Sequence, residues 1–170
     1  MRDGGCVAIG SVLKSLLQTK SFSVFHFTIS TKKHPFDIEN YPKTWREHMD
    51  IDHCQLNTQT DLLGAMYYLL KNESYNLARF KQKKLKRKIE DLLKDHSFDI
   101  VICESIYTLP FVDLFIQKGC KVILRAHNIE HEIWRQLAAE SSFKLKKWYF
   151  NKLADQLEAF ESEHTETTDS

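Results

Sequence analysis

The feature that most constrains this chain is the run FDIVICESIYTLPFVDLFIQKGCKVILRAHNIEHEIW, residues 98–134. Residues 99–103 are almost wholly apolar, too short for a helix and bounded by charge. That pattern predicts a strand buried on both faces of a parallel sheet. Pro110 can sit in the first turn of a following helix, where its missing N–H costs nothing. Leu114 and Phe115 give that helix an apolar face, and Gly119 can end it in a left-handed conformation. Residues 121–124 predict a second apolar strand. Polar residues stand where each strand stops: Glu104 and Ser105 after the first, then Arg125, His127, Asn128 and Glu130 after the second. Ligands of open α/β sheets lie outside the carboxyl ends of the strands. These groups stand where such a site would be. The alternative is that they only cap helices and satisfy loop backbone.

The flanking segments extend the same alternation. Gly4 and Gly5 open a helix whose Ile9, Val12, Leu13, Leu16 and Leu17 share a face, with Asp3 as the expected cap. A Gly-Gly turn at a helix start suits a phosphate, because free N–H groups and the positive dipole end point outward. Residues 22–29 (FSVFHFTI) predict a strand, and 51–56 a weaker one. Between them, residues 30–50 read as a long loop broken by Pro35 and Pro42, with a helical turn near Trp45. Residues 60–70 predict a helix with Leu62, Leu63, Met66, Leu69 and Leu70 on one face. A second helix is expected over 77–95, with Phe80, Leu85, Ile89, Leu92 and Leu93 inward. Beyond Glu130 a long helical pattern follows, which Ser141 and Ser142 can divide in two. The domain is expected to span residues 1–161, and 162–170 to be a polar, disordered tail.

A length of 170 residues suits one domain with a sizeable core. A formal net charge of +1 argues against an extended nucleic-acid footprint. One local run is strongly basic: Lys81, Lys83, Lys84, Lys86, Arg87 and Lys88 fall among eight positions. It reads as a solvated helix face, or as attraction to an anionic membrane surface. No aromatic residues alternate with these charges, so nucleic acid ranks third. Residues 143–150 (FKLKKWYF) mix cations with aromatics, which suits core packing or a membrane interface. No apolar run reaches the roughly 18–20 residues that cross a bilayer, and the start lacks a signal-peptide pattern, so a cytoplasmic protein is expected. The cysteines at 6, 54, 103 and 120 form no CxxC pair or zinc spacing and read as free, mostly buried thiols.

Residues 127–131, HNIEH, match a pattern used by some zinc peptidases. That chemistry needs both histidines on one helix face. Here His127 follows a strand too closely, so the rings are not expected to converge and no metal is expected. A histidine at a strand's carboxyl end can instead hydrogen-bond a sugar or phosphate, or act as acid or base.

The order of parts resembles the N-terminal half of the retaining GT-B glycosyltransferases of the large group-one, or family-four, class. The resemblance rests on Asp3-Gly4-Gly5 before the first helix and on the strand FDIVICE, residues 98–104. It rests also on Arg125-Ala126-His127-Asn128-Ile129-Glu130 followed by Ile133-Trp134, and on the long helix ending in Phe160-Glu161. It implies a Rossmann-like, open, mainly parallel sheet flanked by helices, with the first strand and the whole donor-binding C-terminal domain outside these residues. A missing central strand would expose two strand edges. It implies transfer of a sugar from a nucleotide-sugar to a glycan or lipid-linked acceptor, as a hexosyltransferase of glycan biosynthesis, with the chain inactive until a C-terminal domain joins it in cis or in trans. Gly4 and Gly5 would approach the donor phosphates, and His127 the transferred sugar. Glu104, Arg125, Asn128 and Glu130 would shape the acceptor pocket, and no metal or other cofactor is implied. The alternative is a non-enzymatic α/β module acting at anionic membrane surfaces, held peripherally at the inner face through residues 81–88.

Overall fold

All four strands expected from the sequence form, but as two parallel pairs. The computed structural model describes residues 4–166. In chain order the elements are α1 (Gly4–Thr19), β1 (Phe25–Thr31), α2 (Lys43–Arg46), β2 (Asp50–Leu56), α3 (Leu62–Leu70), α4 (Tyr75–Ala78), α5 (Lys83–Asp95), β3 (Ile100–Cys103), α6 (Val112–Ile116), β4 (Lys121–Leu124), α7 (Glu130–Glu140) and α8 (Lys144–Glu166). β1 pairs with β2, from Phe25 opposite Asp50 to Thr31 opposite Leu56. β3 pairs with β4, from Ile100 opposite Lys121 to Cys103 opposite Leu124. The connection from β2 to β3 carries helices and loops but no strand to join the pairs, so the expected single sheet is divided among the described residues.

Two apolar clusters hold these pieces. In the first, Phe27 and Ile29 of β1 and Cys54 and Leu56 of β2 meet Leu85, Ile89 and Leu93 of α5. Phe98, Phe111, Leu114 and Phe115 pack on the same cluster, which ties the second strand pair to the first. The second cluster sets Val101, Cys103, Val122 and Leu124 against Ile106, Leu109 and Leu157. Val101 and Cys103 face inward, whereas Ile100, Ile102 and Ile123 are exposed. β3 is therefore well buried on one face only, where Trp134 of α7 and Leu157 of α8 pack, not on both as its apolar run predicts.

Local chemistry explains the remaining departures. The helix expected over 77–95 breaks at Gln82, whose backbone is extended. Its amide donates to Asn57 O at 2.8 Å and Arg79 O at 2.7 Å, and Arg79 donates to Thr58 O at 3.0 Å. These side chains tie the break to the loop after β2 by satisfying the Asn57 and Thr58 carbonyls. Pro110 lies inside a 3-10 segment, Ile106–Phe111, that precedes α6 and is capped by Ser105. Gly119 does end that stretch, at φ 82°. Cys54, Cys103 and Cys120 are buried and free, and Cys6 is exposed. The break at Ser141 is present, but α8 runs on to Glu166, past the expected end of order at 161. Ser162 Oγ donates to Glu158 O at 2.8 Å, in helical register.

The helix at 60–70 forms with its large residues outward. Leu62, Leu63, Met66, Tyr67 and Leu70 are all more than half exposed, while Ala65 is buried. Gly64 explains the choice. A Cβ there would lie 2.9 Å from Asp61 Oδ2 and 3.2 Å from the Tyr75 ring, so only the small face of α3 can approach α4 so closely. Asp61 caps the helix by accepting from Gly64 N at 2.9 Å.

His26 adds a pH dependence to the fold. Its Nε2 meets Tyr41 Oη and Thr28 Oγ1, each at 3.1 Å. Burial lowers its pKa from 6.5. The unfolded chain then binds this proton more readily than the folded one, so stability present above the unfolded pKa is lost as pH falls through it. Thermal unfolding is expected to drop between neutral and mildly acidic pH, and a His26→Gln chain to lose part of that drop. An identical acid limb in both chains would contradict the assignment.

Candidate functional site

β3 and β4 run side by side in register, so the residues after them leave at one level. Arg125 N donates to Cys103 O at 2.8 Å and extends the ladder by one step. That step brings Glu104 beside Arg125 and His127. Arg125 Nη1 donates to Glu104 Oε1 at 3.0 Å, and His127 Nε2 meets Glu104 Oε2 at 2.8 Å. One carboxylate thus orients two side chains, one by each oxygen. Their side chains keep partial access to water, at 22% for Glu104, 31% for Arg125 and 18% for His127. With Nε2 donating to the carboxylate, a neutral imidazole leaves Nδ1 as an acceptor. The remaining guanidinium N–H groups of Arg125 are donors. A donor and an acceptor side by side on a half-exposed strand end suit a polyol or an oxyanion.

A second group lies behind the first. Tyr107 Oη donates to Glu130 Oε2 at 2.9 Å, and Glu130 N donates to Glu161 Oε1 at 2.9 Å. His131 Nδ1 bonds the other oxygen of Glu161. Burial pushes the Glu130 carboxyl above the usual range, Glu161 adds to that, and Tyr107 and Asn128 pull the other way. Burial, with Glu130 beside it, pushes the Tyr107 phenol up as well. This group docks the start of α7 on α8, which positions the loop that carries His127. His127 and His131 therefore turn to different carboxylates, Glu104 and Glu161, as their loop and helix placement predicts.

The residues singled out in the sequence thus separate. Glu104, Arg125 and His127 form one hydrogen-bonded group. Asn128 and Glu130 belong to the second group, and Ser105 caps the 3-10 segment. Gly4 and Gly5 open α1, and among the described residues no hydrogen bond joins them to the Glu104 group. A side chain at Gly4 would meet nothing within 4 Å, so packing does not demand glycine there. Asp3 lies outside the described residues. Burial pushes the Cys103 thiol up, which suits an inert core residue.

Tyr107 and Glu161 were not found from the sequence, because neither stands in a periodic pattern that marks it. Equally missed is an open cavity of about 410 Å³ at the carboxyl ends of β1 and β2, lined by Lys32, Gln55, Asn57, Gln59, Gln82 and Lys84. Lys84 Nζ donates to Gln55 O there at 2.9 Å, so one cation of the basic run faces the strand ends. Lys88 pairs with Asp52 at 2.6 Å and Lys86 with Glu90 at 3.7 Å. The run is thus partly committed to intramolecular partners.

Comparison of the chain with protein-family models, with curated proteins and with solved structures finds no match.

Proposed function

We propose that the chain is the acceptor-side domain of a nucleotide-sugar-dependent glycosyltransferase of the GT-B type. The observation that carries this reading is the Glu104–Arg125–His127 group at the adjoining carboxyl ends of β3 and β4. Two further features support it. The strands are parallel within each pair, and helical crossovers join them. The motifs also occur in an order that resembles the family-four transferases, from Gly4-Gly5 through FDIVICE to the Arg125–Glu130 segment.

In this reading Glu104 is a positioning residue. It fixes the His127 ring and holds the Arg125 fork open toward the ligand. His127 hydrogen-bonds the sugar near the reacting centre through Nδ1. Arg125 donates to a sugar hydroxyl or to the developing negative charge of the leaving diphosphate, where an aimed donor contributes most. The donor nucleotide is held mainly by a second domain, in cis or in trans, with Gly4 and Gly5 at the phosphates across the cleft. No cofactor takes part, the nucleotide-sugar itself being a substrate.

Immobilised mono- and oligosaccharides, alone and with nucleotide-sugars present, provide the test. The 170-residue chain is expected to be retained on a subset of sugars. His127→Ala is expected to weaken retention about tenfold, the effect of removing one or two hydrogen bonds. Retention on no sugar, or retention indifferent to His127, would overturn the reading.

A further inference from the structure

We propose that the first turns of α8, together with the exposed apolar face of α3, dock on an anionic lipid bilayer. The inference does not depend on sugar transfer. It starts from a conflict between sequence and structure: α3 turns five of its large side chains, Leu62, Leu63, Met66, Tyr67 and Leu70, outward, and its Gly64–Ala65 side inward. Leu62, Leu63 and Leu70 are 74%, 77% and 86% exposed. Single exposed leucines need no explanation, but a contiguous helical face of them marks an interaction surface.

A second exposed group lies at the start of α8. Phe143, Leu145 and Trp148 are more than half exposed, unlike Phe150, whose ring packs at 5.2 Å on Trp134. Lys144, Lys146 and Lys147 alternate with them and are exposed. Among the described residues none of the three has an ion-pair partner, and Lys146 Nζ lies over the Phe150 ring, 5.2 Å from its centroid. Tyr75 packs on the inner side of α3, against Gly64. Tyr68 of α3 lies 6.0 Å from the Tyr75 ring.

Charge and residue type select the occupant. The segment brings Lys144, Lys146 and Lys147 beside exposed Trp148 and Phe143, and Lys71 lies over the Tyr67 ring at 4.9 Å. The acids in these segments are Asp61, which is occupied in capping α3, Glu73 and Glu140. An apolar face ringed by lysine and carrying Trp and Phe has the make-up of interfacial helices, with aromatics at headgroup depth and cations on the phosphates. A second copy of the chain is disfavoured, because a two-fold contact through this face would bring two lysine-bearing surfaces of like charge together. No helix among the described residues is long and apolar enough to cross a membrane, so the contact is peripheral.

Vesicle co-sedimentation of the full chain tests the assignment. Binding to phosphatidylserine-containing phosphatidylcholine vesicles is expected at low salt, with little on pure phosphatidylcholine. Brominated acyl chains should quench Trp148 emission, and Trp148→Phe should remove that quenching. Lys144→Gln, Lys146→Gln and Lys147→Gln together are expected to weaken binding about a hundredfold. Leu63→Glu with Leu70→Glu should weaken it by at least about tenfold. These positions are exposed, so the variants keep the fold, which circular dichroism verifies. Neutralising Lys83, Lys86 and Arg87 on α5 should change binding by less than about threefold. The assignment is overturned by absent binding, by binding that only the α5 changes abolish, or by a dimer that Leu63→Glu with Leu70→Glu dissociates.

Discussion

A chain carrying Glu104→Ala is expected to lose sugar binding about a hundredfold and to be less stable by about 2 kcal/mol. The reason is the sharing of one carboxylate. Arg125 and His127 each hold one oxygen of Glu104, at 3.0 and 2.8 Å. Removing it frees both side chains and leaves two half-covered donors without their acceptor. All three side chains keep some contact with water, so the stability cost stays well below that of breaking a buried ion pair. Glu104→Gln separates position from charge. It keeps the shape and one acceptor oxygen, and is expected to fall midway between wild type and alanine. At this chain length the alanine variant should melt about 4–8 °C lower. If Glu104→Ala binds sugars as wild type does, Glu104 does not position the site.

The largest effect on stability is expected at Leu157. Its side chain is 0% exposed and sits in the second apolar cluster with Cys103, Ile106 and Leu109. Leu157→Ala should cost about 3–5 kcal/mol, as transfer and cavity terms add. The helix that carries it also carries Glu161, which accepts from Glu130 N and holds His131. Loosening α8 therefore loosens the start of α7 and the loop before it. Sugar binding is expected to fall together with stability. Leu63, at 77% exposure, is the control, and Leu63→Ala should stay within about 0.5 kcal/mol. Equal costs at the two positions, read from chemical denaturation, would show that α8 is not docked by Leu157.

The sequence and the structure agree most where a local rule decides. Short apolar runs marked β3 and β4, a run rich in aromatic and β-branched residues marked β1, and Gly119 marked the end of the α6 stretch. The polar residues after β3 and β4 identified three that do meet: Glu104, Arg125 and His127. Burial was less legible, because periodicity says which residues share a face but not which way that face turns. Leu62, Leu63, Met66 and Leu70 share a face and point outward, since Gly64 and Tyr75 reserve the inner side for small residues. The same limit applies to Ile100 and Ile102, whose apolar run reads as doubly buried. Side-chain capture of backbone is less legible still. Gln82 and Arg79 end one helix early by serving carbonyls more than 20 residues back in the chain, a long-range event that no local window contains. The partners of Tyr107 and Glu161 were invisible for the same reason: Glu130 and the α7 start lie 23 and about 30 residues away.

The central claim is that the His127 ring, held by Glu104, contacts sugar. Its most direct test is the ring-nitrogen NMR spectrum of the histidine-labelled chain, titrated with free sugars and with nucleotide-sugars. Without ligand, His127 should show Nε2 as the protonated nitrogen, the tautomer that the Glu104 carboxylate selects. On adding a bound sugar, its Nδ1 signal should shift and saturate, while His131 behind Glu161 stays in place. Glu104→Gln should weaken that response. A His127 ring that stays unchanged while sugar binds elsewhere on the chain would contradict the account.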